Sequence, residues 1–443
     1  MQKGTLHRKN DVDMSFDFNN MIIRQHMFEG YFGLEKESLR VTPEGFLAHT
    51  KHPFMDDPNM ERDFCENQTE LITDVADSPE NVWYQLYALQ KKAVTTLLQL
   101  KTGKELMWPF SNPPYVLGEK DIPIASYEGV LRGKELYREY LAGKYGKRKM
   151  LFSGIHFNFS FSDKILEEGY KNSSFDSFQE YKNQIYLELA KKVTKYSWLI
   201  VYLTAASPVM DGSFFHDEDL GKVVLKNLAS PRCSKIGYWN DFDPLLDYEN
   251  LQSYVESIET YVKQGQLKEA AELYYPVRLK PKGENTLERL KNYGVDYIEL
   301  RMLDLNPLEP VGIGKEDLKF LHLFILYLMY LEDKEFLPFE QVMALKNTKR
   351  AAKYAEDGIW IETGWNSVMP IKQAALHVLA SMKRFFRWIG KEEWMELIYF
   401  QEQKIFLPNN RYAVKIKSMF EKEYVKSGIE LAEQHARVLT GRK

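Results

Sequence analysis

Four short stretches of this chain alternate, residue by residue, between an apolar side and a polar, mostly acidic one. In GLEKESLRV the residues Glu35 and Glu37 share a side, and in CENQTELIT it is Glu66, Gln68 and Glu70. In GIHFNFSF, His156, Asn158 and Ser160 oppose Ile155, Phe157, Phe159 and Phe161; in DYIELRML, Tyr297, Glu299 and Arg301 oppose Ile298, Leu300 and Met302. A period of two is the signature of a β-strand whose faces meet different surroundings. An antiparallel sheet with one covered face and one open face accommodates it directly. Something apolar must therefore pack behind these strands.

Helical patterns supply the cover. Over 79–102, Val82, Leu86, Leu89, Ala93 and Leu97 recur at helical spacing behind Ser78, a suitable N-cap. Similar patterns run over 126–145, 177–205 and 249–265, and from 315 onward the chain reads as almost entirely helical. Strands few in number and scattered among helices imply an α+β fold. The expected organisation is a polar tail over 1–20, a catalytic body over 21–314 and a helical part over 315–443 packed on the same body.

The acidic faces pose an electrostatic problem. Like charges about 7 Å apart on alternate strand positions repel by about 2 kcal/mol a pair at an effective dielectric near 20. Either water screens these faces, or cations sit between the carboxylates. Glu35, Glu37, Asp63, Glu66, Glu70 and Glu299 with His156 form a set of the type that divalent cations take, and Mg²⁺ in turn points to ATP. The chain has neither a GxxxxGK[ST] loop nor a GxGxxG after a strand, so any nucleotide is held by metals and scattered cations.

Bulk properties exclude other classes. A net charge of −4 in 443 residues argues against a generally basic nucleic-acid binder. Two cysteines, Cys65 and Cys233, make no disulfide framework, and the amino terminus lacks an apolar leader, so the cytoplasm is the expected compartment. The longest apolar runs fall short of the roughly 20 residues of a membrane span. Neither nucleic acid nor membrane is an expected partner.

The motifs GLEKESLRV, DFCENQTELIT, MWPFSNPP, LYREYLAGKYGKRK, SGIHFNFSF and YIELRMLDLNP together resemble glutamate–cysteine ligase of the bacterial type. They are most similar to the ligase half of the fused two-step glutathione synthases of Gram-positive bacteria. The resemblance implies a glutamine synthetase-like fold, a curved antiparallel sheet around an ATP–metal funnel backed by helices. It also implies an ATP-dependent ligation of the glutamate γ-carboxylate to the cysteine amine through a γ-glutamyl phosphate. ATP and Mg²⁺ (or Mn²⁺) are the implied cofactors, and a monomer acting on small molecules is compatible with it. With 443 residues there is no room for the second, ATP-grasp half of the fused enzymes, so only the first step is expected.

Carried over motif by motif, the metal ligands fall on Glu35, Glu37, Asp63, Glu70, His156 and Glu299. Arg301 matches the arginine that stabilises the transferred phosphoryl group. Arg232 resembles the residue that holds the glutamate α-carboxylate, and Tyr238, Tyr137, Arg138, Phe64 and Tyr274 resemble substrate-side residues. Arg278, Lys280 and Lys282 make a basic strand face at period two, suited to phosphates or to a solvated edge. Asp63 and Glu70 differ in parity, so one regular strand cannot aim both at the same side, and a bulge between Cys65 and Gln68 is expected. Three rivals stay open: the same chemistry with another amine acceptor, a guanidino kinase, and a non-catalytic relative.

Overall fold

The computed structural model describes residues 16–364 and 367–441. The strands are β1 (Gly30–Val41), β2 (Met60–Arg62), β3 (Gln68–Ile72), β4 (Leu106–Met107), β5 (Gly154–Phe161), β6 (Met210–Asp211), β7 (Val223–Val224), β8 (Val277–Lys280), β9 (Tyr297–Asp304), β10 (Trp360–Gly364) and β11 (Ser367–Pro370). Seven of them form one sheet in the order β2-β3-β1-β5-β9-β8, with β4 pairing separately to β1. Every pairing in that sheet is antiparallel.

The alternation read from the sequence decides which face is covered. Phe32, Leu34, Phe157, Phe159, Phe161, Ile298 and Leu300 are all buried in one cluster. Against them pack the helices Phe178–Thr204 and Lys315–Tyr330. Each fully buried phenylalanine contributes about 1.5–3 kcal/mol relative to an exposed one, so this single interface is a large part of what holds the sheet. The helix Pro79–Leu97 starts where its cap requires: Ser78 Oγ accepts from the Asn81 amide, and Val82, Leu86, Ala93 and Leu97 are buried.

Four local features differ from the sequence reading. Asp63 and Glu70 are reconciled by a hairpin, with no bulge: β2 and β3 pair antiparallel around the turn Phe64–Asn67, and the Asp63 amide bonds the Gln68 carbonyl. The one irregularity among the site strands lies between β5 and β9, where Ile155 faces Leu303 and Phe157 faces Leu300. The carboxy-terminal region contains the hairpin β10–β11, so it is not helical throughout. Of the tail expected over 1–20, residues 1–15 lie outside the described residues, while Phe16 and Phe18 are buried against Phe161 and Phe385. No helix among the described residues is long and apolar enough to cross a membrane.

Candidate active site

Strand register assembles the acidic face. Glu35 on β1 lies opposite His156 on β5; Glu37 on β1 lies opposite Glu70 on β3, and Glu70 in turn opposite Glu61 on β2. Directly paired residues share a sheet face, so three glutamates line up across three strands. Asn158 on β5 faces Glu299 on β9, which faces Arg278 on β8. The face is acidic toward β2 and basic toward β8.

His156 stands between the two glutamates of β1. Its Nδ1 hydrogen-bonds Glu35 Oε2 at 3.0 Å, and its Nε2 lies 3.6 Å from Glu37 Oε1. Asn158 Nδ2 donates to the other Glu35 oxygen at 2.9 Å. Burial and the nearby Arg301 lower the His156 pKa, so the ring is neutral at ordinary pH. A neutral ring that donates from Nδ1 presents a lone pair at Nε2 toward Glu37 Oε1.

The carboxylates divide into two groups. Glu299 is fully buried, yet Arg301 (2.8 Å) and Lys280 (3.0 Å) hold it well below the usual carboxylate range. Burial and the Glu299 charge act to raise the Glu35 pKa, but the His156 contact and Lys280 outweigh them and keep it low. Glu37 and Glu70 behave in the opposite way. Burial and the Asp63 charge push Glu37 up to about 8, against the pull of Arg232 and Arg301. Burial and the charges of Glu35, Asp63, Glu37 and Glu61 push Glu70 well up. Carboxylates crowded without a counter-charge bind protons unless a cation replaces them. Ligand atoms of Glu35, Glu70 and His156 lie within 4.8 Å of one another, and hard oxygens with one imidazole nitrogen fit a divalent cation.

At the basic end, a cavity of about 60 Å³ is lined by Glu37, His156, Arg232, Tyr238, Tyr274 and Arg301, with Cys233 and Trp239 in the wall. Tyr238 and Tyr274 meet edge to face at 4.4 Å. Arg232 Nη1 donates to the carbonyls of Arg301 (3.2 Å) and Leu303 (2.9 Å). A much larger cavity, about 1320 Å³, lies beside Lys191 and Asp333, among none of the residues above, and size alone gives it no chemistry.

The remaining sequence candidates sit around this centre. Phe64 is buried in a second cluster against which Tyr137 and Tyr238 pack. Arg138 gives its donors to the carbonyls of Asp63 (2.5 Å) and Arg62 (3.2 Å), bracing the β2–β3 turn. Arg278 bonds the carbonyls of Ala271 and Leu273. Lys282 is not brought to the face: β8 ends at Lys280, and Lys282 is exposed beyond it, its carbonyl accepting from Arg289. Glu66 lies in the turn, paired with Arg62 at 2.9 Å and accepting from the His52 and Ser126 amides. The sequence reading assigned no role to Asn158, although its place one step along from His156 on the same side was the available signal. Nor did it assign one to Gln68, whose Nε2 bonds the Phe152 carbonyl and Ser153 Oγ. Cys65 and Cys233 are buried thiols with pKa values raised by burial, which fits neither for nucleophilic work.

The antiparallel sheet with its back covered by helices is matched by solved structures of glutathione-synthesising ligases. The bifunctional glutathione synthetase of Pasteurella multocida superimposes with a TM-score of 0.81 at 28% identity, over 95% of this chain and 54% of that one. The family model described as glutamate–cysteine ligase matches residues 18–269 and 264–351, and the chain belongs to that family. It is 38% identical over 416 residues to the bifunctional glutathione biosynthesis protein of Listeria monocytogenes, covering 90% of this chain and 53% of the relative. Against the glutamate–cysteine ligase of Clostridium acetobutylicum it is 29% identical over 465 residues, 91% of this chain and 95% of the relative. The chain thus spans about half the length of its bifunctional relatives.

Proposed function

We propose that this chain joins the γ-carboxylate of L-glutamate to the amine of L-cysteine at the expense of ATP, forming γ-glutamylcysteine, ADP and phosphate. A γ-carboxylate oxygen attacks the γ-phosphorus of ATP and ADP leaves. The cysteine amine then attacks the acyl carbon, and phosphate departs with that oxygen while the amine proton passes to solvent. The observation that carries this reading is the convergence of Glu35, Glu37, Asp63, Glu70, His156 and Glu299 with Arg301 on one face of a sheet of this family.

Those six side chains would hold divalent cations, Mg²⁺ or alternatively Mn²⁺, which when bound would neutralise phosphate charge during transfer. Arg301, anchored by Glu299, presents a guanidinium to the phosphoryl oxygens, where charge spreads in the transition state. Arg278 and Lys280 add positive charge on the nucleotide side. Arg232 takes the glutamate α-carboxylate, while Tyr238, Tyr274, Tyr137, Arg138 and Phe64 bound the acceptor side. Closely packed aromatic walls keep water from the acyl phosphate, which hydrolysis would otherwise waste. Reduced, buried cysteines and an ATP requirement suit the cytoplasm.

The test is phosphate release by the purified protein with Mg²⁺, ATP and L-glutamate, adding cysteine, 2-aminobutyrate, alanine or glycine in turn and weighing the products. Stimulation that favours cysteine, with a γ-glutamylcysteine mass, is expected. Glutamate-dependent turnover favouring another amine would leave the metal and glutamate roles standing and overturn the acceptor.

A further inference from the structure

The first residue of β5 touches two functions at once. The Gly154 amide donates to Glu37 Oε2 at 2.9 Å, and the Arg232 guanidinium lies against the Gly154 α-carbon. A β-carbon built there would come within 2.4 Å of both Arg232 Cζ and Nη2, and 2.9 Å of Nε. Real β-carbons do not approach other heavy atoms so closely, so one partner must move.

The glycine backbone is the partner that cannot. Gly154 is not among the glycines in the left-handed region, so alanine is allowed there by its dihedral angles. The chain leading into it is tied on three sides: the Ser153 amide to the Ser111 carbonyl, Gln68 Nε2 to Phe152 and Ser153, and Gly154 itself to Glu37. Past it, β5 is hydrogen-bonded between β1 and β9 in the middle of the sheet. Arg232, by contrast, is half-buried and its head borders the small cavity. A methyl group at position 154 would push the guanidinium off its two carbonyl acceptors and into that cavity.

We propose that Gly154 is a positioning residue for glutamate recognition. Its missing side chain gives Arg232 the bed on which its guanidinium is aimed, while its amide keeps Glu37 in register with that arginine. The inference rests on the glutamate role of Arg232 proposed above. A guanidinium recognises a carboxylate through a planar fork, so displacing the head without removing its charge should be enough to weaken recognition.

The test is a double-mutant cycle of Gly154→Ala and Arg232→Ala, read as KM for glutamate, KM for ATP and thermal midpoint. Gly154→Ala is expected to raise the glutamate KM by about tenfold or more with little change in the ATP KM, as loss of a substrate contact does. The double variant is expected to be no worse than Arg232→Ala alone, because the methyl group has nothing left to displace. An unchanged glutamate KM in Gly154→Ala, or full additivity in the cycle, overturns the inference while the role of Arg232 stands. An unchanged glutamate KM in Arg232→Ala overturns that role and the inference with it. If Gly154→Ala does not fold, the double variant is expected to fold, since the clash is with a side chain now absent. A double variant that also fails to fold overturns the proposal in favour of backbone crowding.

Discussion

Glu35 and Glu37 point the same way from one strand, and His156 stands between them as a neutral ring. The neutral ring supplies no counter-charge, so the cost of gathering carboxylates falls on Glu37 and Glu70, whose pKa values rise. Glu37→Gln keeps the shape and removes the carboxylate that a cation would take in place of the proton. It should abolish ATP turnover and leave the fold intact, and it should reduce the rise in thermal midpoint that Mg²⁺ gives the wild type. Turnover near that of the wild type would contradict the metal role. On the other face of the sheet, His322 is buried among Phe28, Phe32 and Phe159, and burial pushes its pKa down to about 3. As the pH falls below 6.5 the unfolded chain takes up a proton that the folded His322 refuses, so stability is lost through the window from 6.5 down to 3. This amounts to about 2 kcal/mol on going from neutral pH to about pH 5. His322→Leu should flatten the acid side of the stability curve by that amount, measured by urea unfolding at both pH values. Parallel curves for the two proteins would contradict it.

At the scale of elements, alternation in the sequence picked out β1, β3, β5 and β9 and the face they share, but showed neither the short strands nor the β10–β11 hairpin. The link between Asp63 and Glu70 was not legible, for a physical reason. Phe64, Cys65, Glu66 and Asn67 include neither glycine nor proline, and the turn they make is held from outside. Arg40 bonds the Glu66 carbonyl, the Glu66 amide bonds the Pro123 carbonyl, and Arg138 clasps Arg62 and Asp63. A turn stabilised by tertiary contacts leaves no local signature. Arg138→Ala should therefore loosen the hairpin more than the sheet. Amide exchange is expected to quicken over residues 62–68 and to stay slow in β5 and β9, with turnover reduced. Uniform quickening across the sheet would mean that Arg138 supports the fold as a whole. The contact between Gly154 and Arg232 was equally hidden, since 77 residues of chain separate a strand start from an irregular segment.

For the whole molecule, the carboxy-terminal helices are tied to the helix Phe178–Thr204 behind the sheet by a buried polar knot. Asp317 accepts from Lys404 (2.8 Å), Gln401 (2.9 Å) and Tyr412 (2.7 Å), and Lys404 also reaches the Leu203 carbonyl. The knot joins the helices Phe178–Thr204, Lys315–Tyr330, Met395–Phe406 and Tyr412–Phe420. Removing one member of a buried ion pair costs about 3 kcal/mol or more. Lys404→Met should lower a single cooperative unfolding transition that includes the active-site sheet. Two transitions, with the sheet melting as in the wild type, would mean that the region after residue 315 is an independent unit.

The proposed function turns on a γ-glutamyl phosphate formed between the acidic face and Arg301. It is tested most directly by supplying L-glutamate labelled with heavy oxygen in both positions of its γ-carboxylate, together with Mg²⁺, ATP and cysteine. If the carboxylate attacks the γ-phosphorus and phosphate is the leaving group, one labelled oxygen appears in each released phosphate and the other remains in the new amide. Release of unlabelled phosphate, with both labels still on glutamate, would mean that ATP is hydrolysed without activating the carboxylate, and would contradict the account.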